Sequence, residues 1–241
     1  MDFEFMQETF LRLLSGVPLT LNLAFTSVAF GAVLAMLIAL MRMSGVRVLE
    51  AFAKGYVFVF RGSPLLVQIF LIYYGLGQFR PTLQEWGLWS FFREPYWCAI
   101  LALTLNTGAY ASEIFRGGLQ AVPAQQVEAA RACGMSGFLL FRRITFPIAL
   151  RQALPAYGSE LILMVKATSL ASIITMMEIT GIAAKLISQT FRAVEVFIVA
   201  GAIYLILNFI ITRLIMALEW WLSPHLRHPP VPKASVEAVH V

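Results

Sequence analysis

Five stretches of this chain are each about 20 residues long and nearly free of charge, the length a helix needs to cross the apolar part of a bilayer. They run from Pro18 to Met41, from roughly Tyr56 to Gly77, from Tyr96 to Phe115, from about Tyr157 to Met177, and from Val194 to Leu218. No water in that layer satisfies backbone groups, so each stretch must bond its own and is expected to be helical. Composition agrees with a lipid solvent. The 241 residues are 59% hydrophobic and 13% charged, where a soluble domain carries about 25% charged residues. The expected fold is an all-α integral membrane protein with five transmembrane helices.

Charge sets the expected orientation. The net charge of +5 marks cytoplasmic loops in such a chain. No Lys/Arg run with interleaved aromatics suggests a nucleic-acid surface. With the N-terminus outside, the cytoplasmic side holds Arg42, Arg47, Lys54, Arg116, Arg131, Arg142, Arg143, Arg151, Arg213, Arg227 and Lys233, which is 11 of the 18 Lys and Arg. The outside holds Arg12, Arg80, Arg93, Lys185 and Arg192, while Arg61 and Lys166 fall within spans. The N-terminus is therefore expected in the periplasm and the C-terminus in the cytoplasm. The opening MDFEFMQETF is acidic where a signal peptide needs positive charge, so the first apolar stretch is expected to stay as a span. Pro81, Trp86 and Trp89 in the outer segment, with Trp97 just beyond, are read as an interfacial belt. Glu178 is read as an outer membrane boundary. Residues 1–223 form one transmembrane domain on this reading, and the polar, proline-rich residues 224–241 a disordered tail.

One long polar interruption stands out, at about 116–154. Pro123 precedes AQQVEAARAC, a run of helix formers. Gly134 and Gly137 break it, and FLLFRRITF reads as a second short helical piece. Pro147 and Pro155 punctuate the return to the membrane. A helix, a glycine bend and a short helix beneath the bilayer fit two roles. One is a docking surface, made low by Ala129 and Ala130 and charged by Glu128 and Arg131. The other is an amphipathic connector lying on the membrane.

Chemistry of the enzyme kind has little to work with. The three histidines, His225, His228 and His240, lie in the tail, and the only aspartate is Asp2. No catalytic constellation is expected. Cys98 and Cys133 are expected on opposite sides of the bilayer and lack the paired spacing of a metal site. No GxxxxGK[ST] loop occurs, so the chain does not bind and hydrolyse a nucleotide by that device.

The residues Glu128, Ala129, Ala130, Gly134, Ile144 and Pro147 match, at the family's spacing, the EAA loop of ABC-transporter permeases, with Phe146 where leucine is usual. FRGSPLLVQ (Phe60 to Gln68), LTLNTGAYASEIFRGGLQAVP (Leu103 to Pro123) and ITMMEITGIA (Ile174 to Ala183) extend the likeness over nearly the whole chain. It resembles the histidine, lysine-arginine-ornithine and opine branch of polar amino-acid permeases, M-type subunit, with the strongest likeness to histidine or octopine/nopaline permeases. That resemblance implies a type I ABC importer permease fold in a bacterial inner membrane. It implies an EAA loop docked on a separate ATPase that binds ATP and Mg, with no cofactor in this chain. It further implies a second, similar permease (a heteropair), two ATPase subunits and a periplasmic solute-binding protein. Substrate would cross by alternating access.

Intramembrane polar residues are the candidates for the solute path. Glu160 has two readings. It attracts the cationic group of a substrate, as the glutamate at the matching position in family members for arginine-like substrates suggests. Alternatively it pairs structurally with Arg151 or Lys166. Some relatives carry a second carboxylate where this chain has Ala167. Arg61, Ser63 and Pro64 are candidates for packing, bending or gating the second span. Asn106 and Thr107 are read first as interhelical hydrogen-bonders, and Glu113 as an i,i+3 partner of Arg116. Competing readings are a permease for another polar amino acid such as glutamine or cystine, and an ATP-independent channel or carrier subunit.

Overall fold

The computed structural model describes residues 2–222, and every described element is helical or a connection between helices. The tail at 224–241 lies outside the described residues. Four helices are long and apolar enough to cross a membrane: Val17–Arg42, Pro95–Gln120, a continuous helical stretch over Gly137–Ile174, and Ala193–Leu222. A fifth crossing exists if the bent pair Arg47–Gly62 and Leu65–Gln78 is one span.

The first and third spans form the centre. They run parallel, with Tyr96 Oη donating to Asn22 Oδ1 near their N-terminal ends (2.6 Å) and Arg42 ion-paired with Glu113 toward their C-terminal ends. Their approach is close because small residues line it. A Cβ at Gly31 would come within 2.3 Å of Thr107 Cγ2, so only glycine fits there. The third span is accordingly the most enclosed, with 67% of its apolar window buried, against 28% for the fifth. Leu23, Ala99, Leu103, Met164 and Val165 make the common core of the first, third and fourth spans. Tyr157 Oη donates to Val28 O (2.9 Å) and fastens the fourth span to the first. Phe30, Leu37, Leu205 and Phe209 remain exposed, as expected of side chains that meet lipid.

Two expectations need correction. The second span is not one helix from Tyr56 to Gly77. It bends by 104° between Arg47–Gly62 and Leu65–Gln78, because Ser63 and Pro64 adopt extended backbone there. The fourth does not begin near Tyr157. Its helix starts at Phe146, with Pro155 inside it, and tightens to a 3-10 helix over Thr168–Ile174. Pro155 therefore does not interrupt the helix.

The N-terminal helix Phe3–Leu14 and the helix Ile179–Thr190 pack on the start of the fifth span, through Leu13, Ile179, Ala183 and Val196. Glu178 belongs to this packing and is fully buried. It caps Ile179–Thr190 by accepting from Gly181 N (2.8 Å) and also accepts from Tyr204 Oη (2.8 Å).

Candidate functional site

The break in the second span opens a cavity of about 440 Å³ against the third and fourth spans. Arg61, Ser63, Pro64, Asn106, Glu160 and Ala167 line it, together with Gly62, Leu65, Tyr110, Leu163 and Met164. The fold thus brings together polar residues spread over more than a hundred positions of sequence. Glu113 is not among them. It sits about one turn beyond Tyr110 on the third span and is held by Arg116 (2.7 Å) and Arg42. The Arg116 contact matches the expected i,i+3 pair; the Arg42 contact was not expected.

Glu160 is 7% exposed. Thr107 Oγ1 donates to its Oε1 at 2.9 Å, and Thr107 is held in place by its close fit on Gly31. Neither alternative cation reaches Glu160. Arg151 and Lys166 are both exposed, and among the described residues no ion pair includes Glu160. An intramembrane carboxylate with one neutral partner beside a cavity is an open acceptor for a cation. The cavity also holds a cation. Arg61, in the last turn of Arg47–Gly62, lies with its guanidinium 5.0 Å from the Tyr110 ring centroid and forms no ion pair among the described residues. Sequence reasoning placed Arg61 near a bend but missed Tyr110. Its hydroxyl-bearing ring, one helical turn beyond Asn106, was the available signal.

The polar interruption folds as two short helices. Ala124–Ala132 ends in a left-handed glycine, Gly134 at φ 82°. Gly134 N bonds back to Arg131 O (2.9 Å) and Met135 N to Ala130 O (3.0 Å), the paired closure that requires a residue at positive φ. Gly137, at φ 51°, opens the second piece, Gly137–Leu140. A π turn over Phe141–Thr145 carries Ile144 into the long helix, where Pro147 lies in the first turn. Glu128, Ala129, Arg131, Arg142 and Arg143 are exposed, while Ala130 is buried. Ala130 therefore contributes to the loop's own packing and not to an outer low surface. Among the described residues, Glu128 has no ion-pair partner, and no cluster of three or more His, Cys, Asp or Glu could hold a metal.

Comparison with known proteins gives this arrangement its family. Residues 27–223 match the family described as "Binding-protein-dependent transport system inner membrane component". The nopaline transport system permease protein NocM of Agrobacterium fabrum is 60% identical over 227 residues, 94% of each chain. The octopine transport system permease protein OccM of Rhizobium radiobacter is 61% identical over 227 residues, 94% of this chain and 92% of that one. A chain from the crystal structure of an amino acid ABC transporter with histidines superposes with a TM-score of 0.78 at 35% identity, over 91% of this chain and 98% of that chain. The chain belongs to the inner-membrane components of binding-protein-dependent transport systems: it is a permease subunit of an ABC importer, not an enzyme.

Proposed function

We propose that the chain moves a dipolar, cationic solute, a basic amino acid or an opine, through the cavity between its second, third and fourth spans. The observation that carries this reading is the charge pattern of that cavity: among the described residues Glu160 takes a hydrogen bond from Thr107 alone and Arg61 forms no ion pair. One open charge of each sign suits a solute that carries both. Octopine and nopaline carry a guanidinium and several carboxylates, and relatives named for them share about 60% of this sequence.

The energy comes from a separate ATPase that holds ATP and Mg. The loop at 116–154 docks on it through Glu128, Ala129 and the glycine-closed bend at Gly134, with Ile144 and Pro147 joining the loop to the fourth span. ATP binding draws the loops together and opens the cavity outward; hydrolysis returns it inward. The working assembly is a pair of similar permeases, two ATPase subunits and a periplasmic binding protein. The N-terminus lies in the periplasm. Supporting that orientation, Arg42 and Arg116 meet at Glu113 near one end of the fold, and Asp2 pairs with Arg192 at the other.

The test is uptake into proteoliposomes holding the whole complex, with labelled histidine, arginine, lysine, octopine and nopaline and the cognate binding protein. ATP-dependent uptake of one of these is expected. Uptake of glutamine or cystine in their place moves the substrate class, and flux without ATP overturns the permease reading. For the loop, Gly134→Asp puts a Cβ and a negative charge at the left-handed closure of the helix and is expected to prevent assembly or uncouple ATP hydrolysis from uptake. A fully active, fully assembled variant contradicts the docking role.

A further inference from the structure

The break at Ser63 and Pro64 leaves backbone groups that the membrane cannot satisfy. Proline lacks the N–H that a continuous helix would have returned to Phe60 O, and no bulk water is at hand in the apolar layer to replace it. Gln68, buried one turn beyond the proline, supplies the donor. Its Nε2 donates to Phe60 O (2.9 Å), Ser63 O (3.1 Å) and Ser63 Oγ (2.9 Å). Its Oε1 accepts from Asn106 Nδ2 (3.0 Å), and the same nitrogen donates to Phe60 O (3.3 Å). Both Asn106 amide hydrogens are spent in this clasp. A flipped amide would set oxygen against two acceptors, so the orientation is fixed. Asn106 Oδ1 accepts no hydrogen bond from the described residues, and Asn106 lines the cavity.

We propose that Gln68 is a positioning residue with two linked effects. It holds the bend that presents Arg61 and Ser63 to the cavity. It also locks Asn106 so that Oδ1 becomes a second acceptor, beside Glu160, for the solute's cationic group. This rests on the cavity's being the solute site. With Ala at position 167, Asn106 gives the cavity a neutral second acceptor.

The experiment uses the reconstituted whole complex, with labelled arginine, octopine and nopaline as probes and spin labels at the exposed Phe58 and Val67 to read the bend. Gln68→Leu is expected to raise the KM of uptake about tenfold and to broaden the label distance. A role confined to structure would move the two readouts together in every variant. Gln68→Glu keeps an acceptor for Asn106 but no donor for the carbonyls. It serves where the leucine variant does not assemble, and is expected to broaden the distance with a smaller change in KM. If Gln68→Leu leaves KM unchanged while Glu160→Gln raises it, the clasp's role is overturned and the cavity still stands as the solute site. If Glu160→Gln leaves KM unchanged, the reading of the site itself fails.

Discussion

Glu160 and Glu178 are both carboxylates inside a membrane protein, and their surroundings differ in kind. Glu178 is wholly enclosed, and each of its oxygens is occupied, one by Gly181 N and the other by Tyr204 Oη. Tyr204 Oη in turn lies 3.1 Å from Thr180 Oγ1. This carboxylate ties the N-terminal end of one helix to the fifth span. Among the described residues Glu160 has one hydrogen bond, from Thr107, and a cavity beside it. A buried acceptor whose partners are all supplied by the fold serves the fold. One left with capacity beside a space has capacity for a ligand.

That contrast yields a ranked set of expectations. The largest effect belongs to Glu178→Leu, which strands the Gly181 amide and the Tyr204 hydroxyl in a closed site. A loss on the order of 3 kcal/mol is expected, read as a lower thermal unfolding midpoint and a poor yield of assembled complex. An unchanged midpoint would erase the distinction between the two carboxylates. Glu160→Gln comes next and should act on another observable. The amide still accepts from Thr107, so the unfolding midpoint stays near that of the parent. The KM for a cationic solute rises about tenfold, the loss of one charge-assisted hydrogen bond. Thr107→Val is smaller. It keeps the methyl packed on Gly31 and removes one hydrogen bond, worth about 1 kcal/mol. A KM increase of severalfold with normal assembly is the expected result of an uptake assay.

The smallest effect lies in the N-terminal helix. Asp2 accepts from Phe5 N (3.1 Å) and pairs with Arg192 (3.1 Å). Those contacts, the backbone bond first and Arg192 second, hold its carboxyl below the ordinary value of 3.8. A group with a depressed folded-state pKa stabilises above its unfolded value and loses that contribution as pH falls through the folded one. Hydrogen exchange across Phe3–Leu14 should therefore speed up slightly only below about pH 4. Asp2→Asn should remove that dependence.

How much was legible beforehand varies with the range of the interaction. Gly134 and Gly137 announced a bend, and both sit at positive φ. Pro64 announced a lost backbone bond. A bend of 104° was not legible, because its size depends on how Gln68 and Asn106 satisfy the freed carbonyls. Glu178 looked like a boundary because it follows an apolar run; its burial depends on Tyr204, far along the chain. Pro155 looked like a helix stop, yet the helix continues through it.

The sequence by itself determined that this chain lives in lipid, that it is helical, and that a glycine-closed polar loop interrupts the spans. These are consequences of composition and short-range pattern: about 20 apolar residues suffice for a span, and one glycine suffices for a left-handed turn. Tertiary structure alone decided which carboxylate closes the fold and which stands open. The partner of Glu160, Thr107, and the second partner of Glu178, Tyr204, come from other helices, at separations of 53 and 26 residues, and no local pattern encodes a contact whose other half arrives by packing.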